Sequence, residues 1–189
     1  MNRIYLYEGP FERGDAGWNL VRRAAMSYGW EGNLPYDFAG SEICRTDRGK
    51  PFFVDLPVEF SLSHSGMMWM CMFSQAPCGL DLQQVETGRD ITGISKRLYT
   101  IEEQHYVDLW GIEGFYEIWA RKEAFGKCTG RGIFSEMPSM VDEQSELCDQ
   151  VEYDGVIYGL WGVEICPDVK CAYCMADSHS EPAELRVLE

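Results

Sequence analysis

The sequence predicts an α+β fold. Short segments in which apolar and polar residues alternate predict β-strands, and clusters of turn residues separate them. Stretches with helical spacing lie among these segments, and a mixture of antiparallel hairpins with helices is typical of this class. The chain has 189 residues, of which 46% are hydrophobic and 13% aromatic. This composition is sufficient for a buried core and argues against intrinsic disorder.

Seven segments are predicted as strands. Two of them, 67–73 and 78–85, are predicted to pair as a hairpin through Gln75-Ala-Pro77. Another runs into a turn at His64-Ser-Gly66. In chain order the predicted strands are 3–8, 41–46, 59–63, 67–73, 78–85, 151–165 and 170–176.

Three segments are predicted as helices. The first spans residues 15–28 and ends at Gly29. Thr100 and Glu103 form the sequence pattern of a capping box, which opens a second helix that runs to about Trp110. A third helix is predicted over residues 113–129 and ends at Gly130.

The net charge of −15 is unevenly placed along the chain. Residues 135–189 carry thirteen acidic and two basic residues, whereas the first two thirds are close to neutral. This balance disfavours direct binding to nucleic acid or to an anionic membrane, so neither is expected as a partner. An anionic ligand remains compatible with the near-neutral part of the chain.

The eight cysteines are expected to be reduced. The first ten residues contain no secretory apolar run, and no apolar run is long enough to span a bilayer, so a cytoplasmic protein is expected. Cys166, Cys171 and Cys174 lie close together, as in a metal site. However, residues 171–176 have the pattern of a buried strand, and no second Cys/His pair completes a tetrahedral ligand set. Metal binding by these thiols is therefore disfavoured.

A carboxylate stands at the end of the apolar strand Gly79-Leu-Asp-Leu-Gln83. Alternation places Asp81 and Gln83 on one face of this strand and the two leucines on the other. A carboxylate in this position is a suitable ligand for a hard cation. A solvated aspartate at the edge of a sheet is the alternative interpretation.

A second feature lies on the third predicted helix. Trp119, Glu123 and Lys127 are four residues apart and share one helix face. In isolation, Glu123 and Lys127 are equally compatible with an ordinary ion pair that contributes a few tenths of a kcal/mol.

The third feature is Ser63-His64-Ser65-Gly66 at the end of a strand. A histidine beside hydroxyl groups at such a boundary can donate to phosphate oxygens, and a structural histidine is the alternative. A Ser63/His64 hydrolase is disfavoured, because adjacent strand residues point to opposite sides and no nucleophile elbow is present.

Together and in this order, the motifs resemble the signature series of the 4'-phosphopantetheinyl transferase superfamily. The similarity is greatest to the pseudo-dimeric branch that acts on fatty-acid, polyketide and nonribosomal-peptide carrier proteins, and it covers about residues 40–135. The motifs are Lys50-Pro51, Ser63-His-Ser-Gly66, Gly79-Leu-Asp81 and Trp119-x-x-Lys-Glu-Ala-x-x-Lys127.

The resemblance implies one unit with two pseudo-symmetric α/β lobes. Residues 1–57 would form a shortened first lobe, 58–177 a second lobe with a metal site, and 178–189 a polar tail that frays. It also implies a monomer, because the two lobes together build the site.

The resemblance further implies a Mg²⁺ site and a reaction. Asp81 and Glu123 would ligate the metal, with Gln83 where many relatives carry a third acid. A serine of an apo acyl or peptidyl carrier protein would attack coenzyme A, giving holo-carrier and 3',5'-ADP. Glu123 would take the serine proton, and Lys127 would stabilise the leaving phosphate.

The phosphates of coenzyme A would be held by basic and hydroxyl side chains, again by resemblance. The implied set is Lys50, Ser63, His64, Arg45 and Arg13, with Arg48, Arg22, Arg23 and Lys122 as further contacts. Carrier docking is predicted at a patch of Lys96, Arg97 and Arg121 with Tyr99 and Phe115. An inactive protein of the same fold, which binds carrier domains or coenzyme A without transfer, is the alternative function.

Overall fold

The computed structural model describes residues 1–177 and 181–188, and it confirms a mixed α+β architecture. The helices are α1 (Trp18–Glu31), α2 (Ile91–Leu98) and α3 (Ile101–Thr129), and one turn of 3-10 helix at Gly14–Gly17 leads into α1. The strands are β1 (Arg3–Glu8), β2 (Ile43–Arg45), β3 (Pro51–Phe53), β4 (Glu59–Ser65), β5 (Met68–Ser74), β6 (Cys78–Gln84), β7 (Gln150–Tyr153), β8 (Val156–Val163), β9 (Val169–Met175) and β10 (Glu184–Val187).

Two four-stranded sheets carry the fold. The first has the strand order β10-β1-β5-β4 and the second the order β6-β9-β8-β7, and β2 and β3 form a small separate ribbon. All pairs in these sheets are antiparallel except β1 with β10, which is parallel.

The period-2 alternation of the strands produces four layers. Odd-numbered residues of β1 and β5, such as Tyr5 and Phe73, pack against α1, whereas even-numbered residues, such as Ile4 and Met72, face the second sheet. On the second sheet, Leu80 and its neighbours face the first sheet, and the opposite face packs against α3. The order is therefore α1, first sheet, second sheet, α3, with an apolar layer between each pair.

A row of serine hydroxyls joins the edges of the two sheets. Residues two apart on β4 point to one side, and there Ser61 Oγ accepts from the backbone amide of Leu80 at 2.9 Å. Ser65 Oγ accepts from the amide of Gln84 at 3.0 Å. These bonds satisfy backbone groups at the edge of β6 that no strand pairs, and they hold β6 beside β4.

The long helix α3 is a helical hairpin. Gly111 has φ 61° and ψ −138°, and this break separates an arm at 101–110 from an arm at 112–129. The Nζ of Lys122 lies 2.9 Å from a carboxylate oxygen of Glu103, although residues 19 positions apart in one straight helix would be separated by about 28 Å. The two predicted helices and the predicted capping box of Thr100 and Glu103 are thus confirmed.

The predicted hairpin of 67–73 with 78–85 is wrong. β5 is a central strand that pairs with β1 and β4, whereas β6 pairs with β9 in the other sheet. The link 75–77 therefore crosses between sheets, and β4 and β5 join the strand of the predicted first lobe rather than the second. Alternation specifies which face of a strand is buried, but it does not specify the partner strand.

Other elements also differ from the sequence-based prediction. Part of the predicted frayed tail forms β10, which hydrogen-bonds along β1, while residues 178–180 and 189 lie outside the described residues. The predicted strand 151–165 is a hairpin of β7 and β8 that turns at Asp154-Gly155, both with positive φ. The helix α2, capped by the Asp90 carboxylate, was not predicted.

Candidate active site

Gly79 permits the close contact that forms the site. A Cβ at this position would lie 1.9 Å from the carbonyl oxygen of Ala124 and 2.4 Å from the amide nitrogen of Cys128. Both atoms belong to the backbone of α3, so only glycine lets β6 pack directly on this helix. Asp81, two residues further along the same face of β6, is thereby brought to the helix face that carries Glu123 and Lys127.

Asp81 is 2% exposed, and its carboxylate is held by three donors. Lys127 Nζ donates to Oδ1 at 2.7 Å, and Ser63 Oγ donates to the same oxygen at 2.8 Å. Gln83 Nε2 donates to Oδ2 at 2.9 Å. Lys127 Nζ also donates to the carbonyl of Leu80 at 2.9 Å, so it is fixed over the strand.

Glu123 is half-buried, and the charge of Asp81 acts on its carboxyl group. Burial raises the pKa of the Glu123 carboxyl above its usual value, and the neighbouring Asp81 carboxylate raises it further. Lys127 acts in the opposite direction on this pKa. A carboxyl group whose ionisation is disfavoured by a second carboxylate beside it has the electrostatic character of a cation site.

A basic cavity of about 310 Å³ adjoins this group of residues. Five basic side chains and one acidic side chain line it, in a protein of net charge −15. The basic residues are Arg13, Arg45, Arg48, Lys50 and Lys127. Because Lys127 both lines the cavity and bonds Asp81, the cavity and the carboxylate pair form one continuous site. The enclosed positive charge suits a polyanionic ligand.

Several predicted phosphate-binding residues meet in this cavity. His64 lines it beside Phe11, with the two ring centroids 5.3 Å apart. Burial lowers the pKa of His64, as do the charges of Arg13 and Lys127, which favours the neutral ring. Lys50 Nζ donates to the carbonyl of Cys128 at 3.2 Å, which ties the cavity wall to the end of α3.

Other predicted contacts lie elsewhere. Ser63 is buried and does not line the cavity, because its hydroxyl is directed at Asp81. Arg22 donates to the carbonyls of Phe38, Ala39 and Ser41, so it braces the chain that follows α1. Arg23 lies with its guanidinium 5.9 Å from the ring centroid of Tyr7, and it is not among the residues lining the cavity.

Lys122 also differs from its prediction as a phosphate contact. Its side chain is 2% exposed, and the ammonium pairs with Glu103, whose side chain is fully buried. The same carboxylate accepts from the amides of Met140 and Thr100, each at 2.8 Å. Lys122 is therefore part of the core and not of the ligand cavity.

The predicted carrier-docking patch is only partly exposed. Lys96 and Arg97 are exposed at the end of α2. Tyr99 and Phe115 are wrong as surface residues, because they stack in the core with ring centroids 5.4 Å apart. Arg121 is also buried and donates to the carbonyl of Cys148 at 2.8 Å. Helical periodicity did not reveal that the second arm of α3 is buried on nearly every side.

Trp18 is among the cavity residues that were not predicted as site residues. Trp18 begins α1, and its indole lines the cavity with the Arg45 guanidinium 4.8 Å from the ring centroid. In the sequence it is one of several apolar residues on the buried face of a helix, so periodicity alone does not distinguish it.

All eight cysteines are free thiols. Among residues 1–177 and 181–188, no group of three or more His, Cys, Asp or Glu side chains is placed to hold a metal ion. A Mg²⁺ site requires less, because the ion is commonly held by one or two carboxylates, phosphate oxygens and water. In the same part of the chain, no helix has the length and apolar character needed to cross a membrane.

Comparison with known proteins agrees with this geometry. A family model described as the 4'-phosphopantetheinyl transferase superfamily matches residues 77–153, which include Asp81, Gln83, Glu123 and Lys127. Over this part of the chain the protein is similar to the superfamily, and the resemblance stated from the motifs is thereby confirmed.

Individual relatives carry the same description. A 4'-phosphopantetheinyl transferase of Bacillus subtilis is 33% identical over 122 residues, which cover 60% of this chain and 50% of the relative. The 4'-phosphopantetheinyl transferase Sfp of Bacillus subtilis strain 168 is 36% identical over 92 residues, which cover 45% of this chain and 39% of Sfp. The 4'-phosphopantetheinyl transferase gsp of Aneurinibacillus migulanus is 27% identical over 140 residues, or 69% of this chain and 56% of gsp. The chain thus spans about half the length of the curated relatives it matches.

Proposed function

We propose that this protein transfers 4'-phosphopantetheine from coenzyme A to a serine of an acyl or peptidyl carrier protein, giving holo-carrier and 3',5'-ADP. The observation that carries the proposal is the position of Lys127, which lines the basic cavity and bonds the buried Asp81 carboxylate beside half-buried Glu123. A polyanionic co-substrate suits the cavity. Phosphoryl-type transfer depends on positioning and charge neutralisation, which the charged side chains of this site would supply.

The basic side chains of the cavity would bind the phosphates of coenzyme A. Lys50 is anchored between the carbonyl of Cys128 and the carboxylate of Glu59, at 3.2 and 3.5 Å, so its ammonium is positioned before a ligand arrives. Arg13, Arg45 and Arg48 add further positive charge to the lining of the cavity. Neutral His64 would donate one hydrogen bond to a phosphate oxygen.

Glu123 would act as the general base. Its raised pKa makes it a stronger base than an exposed glutamate, and it lies one helical turn before Lys127. In the transfer step the carrier serine oxygen bonds to the β-phosphorus of coenzyme A, and its proton passes to Glu123. The bond from phosphorus to the oxygen of 3',5'-ADP breaks, and Lys127 stabilises the charge that develops on the leaving phosphate.

Asp81, Glu123 and Gln83 would hold Mg²⁺. The negative charge that Asp81 places beside Glu123, together with the adjoining basic cavity, fits this ion. When bound, Mg²⁺ would supply further neutralisation of the pyrophosphate charge. Gln83 contacts Asp81 and would contribute its amide oxygen or hold a metal-bound water.

A labelling assay tests the proposal. The protein is incubated with a fluorescent coenzyme A analogue, an apo carrier protein and Mg²⁺, and label on the carrier is measured after electrophoresis. Wild type is expected to label the carrier, and Asp81→Asn and Glu123→Ala are expected to abolish labelling. Glu152→Ala, an exposed carboxylate on the far edge of the second sheet, is the matched control and should label normally.

Two results would contradict the proposal. Full labelling by either site variant in EDTA would remove the role of the carboxylate pair. Binding of coenzyme A by wild type without labelling of any carrier would instead support an inactive protein of the same fold.

A further inference from the structure

The positive charge of the cavity accounts for recognition of phosphate but not of the rest of a ligand. Five of its lining residues are cations, and each can bind an inorganic anion as readily as a nucleotide. Specificity for a nucleotide requires a surface that contacts the base. Two tryptophans line the cavity, but Trp69 is only 2% exposed and belongs to the core. Trp18 is partly exposed, so it is the indole that a ligand can reach.

Trp18 is held rigidly in place. Part of its ring packs against the core cluster of the first sheet, and the Arg45 guanidinium lies over it at 4.8 Å from the centroid. Arg45 is itself fixed, because its Nη1 donates to the carbonyl of Gly49 at 2.8 Å. The cavity therefore presents two anchored planar groups, an indole and a guanidinium, beside its phosphate-binding cations.

We infer that Trp18 and Arg45 form a stacking platform for the base of a nucleotide bound in the cavity. Aromatic rings and guanidinium planes both stack on nucleobases, and such stacking tolerates different bases because every base has a π-face. The platform thus selects a phosphorylated nucleoside over a phosphate compound without a base, and it does not read the hydrogen-bonding edge of the base. The inference rests on the proposed function, in which the co-substrate carries an adenosine 3',5'-bisphosphate group.

A binding experiment separates the base from the phosphates. The dissociation constants of adenosine 3',5'-bisphosphate and of inorganic pyrophosphate are measured by calorimetry for wild type, Trp18→Leu and Trp18→Phe. Trp18→Leu is expected to weaken the bisphosphate by about 5- to 150-fold, the range that loss of one base–aromatic stack produces. Pyrophosphate should bind within about twofold of wild type, because it has no base to stack. Trp18→Phe keeps an aromatic face and should retain most of the affinity.

Further variants and probes sharpen the result. Trp30→Leu removes an indole that is 85% exposed on the same helix and should change neither constant. Arg45→Lys keeps the charge and removes the plane, so it should weaken the bisphosphate more than pyrophosphate. Guanosine 3',5'-bisphosphate should lose affinity in Trp18→Leu to a similar degree as the adenosine compound.

Each contrary outcome has one meaning. Equal weakening of both probes in Trp18→Leu, or unchanged binding of the bisphosphate, would overturn the platform while leaving the proposed transfer intact. Failure of wild type to bind either probe would overturn the platform and the proposed function together.

Discussion

The buried pair of Lys122 and Glu103 should be a main determinant of stability. The Lys122 side chain is 2% exposed, and the change Lys122→Met keeps an unbranched side chain while removing the ammonium, which lies 2.9 Å from Glu103. The carboxylate then keeps only two donors, the amides of Thr100 and Met140. Breaking one side of a buried ion pair costs about 3–5 kcal/mol, and because two backbone donors remain we expect about 3 kcal/mol.

A loss of this size is measurable by urea unfolding followed through tryptophan fluorescence. With a denaturant slope of about 1–3 kcal/mol per M, the midpoint should fall by about 1 M or more. Lys96→Met is the matched control, since Lys96 is exposed on α2 and its change should alter the free energy of unfolding by less than about 0.5 kcal/mol.

A double-mutant cycle tests the physical cause. In Glu103→Gln with Lys122→Met neither charge of this pair remains, and the glutamine oxygen still accepts from one backbone amide. The double variant should therefore lose less stability than the two single variants combined, with a coupling energy of about 1–3 kcal/mol. The reasoning is refuted if Lys122→Met unfolds with the midpoint of wild type, or if the two single effects are additive.

Two further predictions concern the site and its partner. Burial and the charge of Asp81 raise the pKa of Glu123 in the folded protein above the ordinary value of 4.5. The contribution of protonated Glu123 to the free energy of unfolding is therefore fully present below pH 4.5 and is lost as the pH rises through the raised pKa. Because Glu123→Gln cannot ionise, in EDTA its urea midpoint should be higher than that of wild type at about pH 8 and equal to it below pH 4.5. Equal midpoints at both pH values would contradict this. Charge reversal of Lys96 and Arg97 to Glu should slow labelling of an acidic carrier protein and leave coenzyme A affinity unchanged, and unaltered carrier kinetics would exclude this surface as the docking site.

Much of the local structure could be predicted from the sequence. The capping box at Thr100, the break near Gly111 and the two faces of β6 follow from short-range rules that act within a few residues, and the structure has all three. The pairing of β5 could not be obtained this way. Its residues are buried on both faces, so the alternation of apolar and polar residues does not indicate which strands flank it. One partner, β4, directly precedes it, but the other, β1, lies far away in the chain.

The sequence predicts what kind of site to expect better than it predicts where each side chain lies. Asp81, Glu123 and Lys127 were predicted as site residues from motif order, and the structure brings Asp81 and Lys127 into contact. The orientation of Ser63 and the burial of Lys122 could not be read from the sequence. Both depend on a contact between distant segments: the approach of β4 to β6 for Ser63, and the folding of α3 on itself for Lys122.

Asp81 shows that the site and the fold depend on the same groups. Its Oδ1 accepts from Ser63, which belongs to the hydroxyl row that joins β4 to β6, so the carboxylate supports the contact between the sheets as well as the proposed chemistry. Glu123 has the opposite effect, because its ionised form is disfavoured by burial and by Asp81. Removal of Asp81 should therefore lower stability, whereas neutralisation of Glu123 should not. Asp81→Asn keeps a hydrogen-bond acceptor for Ser63, which makes it a sharper test of the carboxylate charge than truncation to alanine.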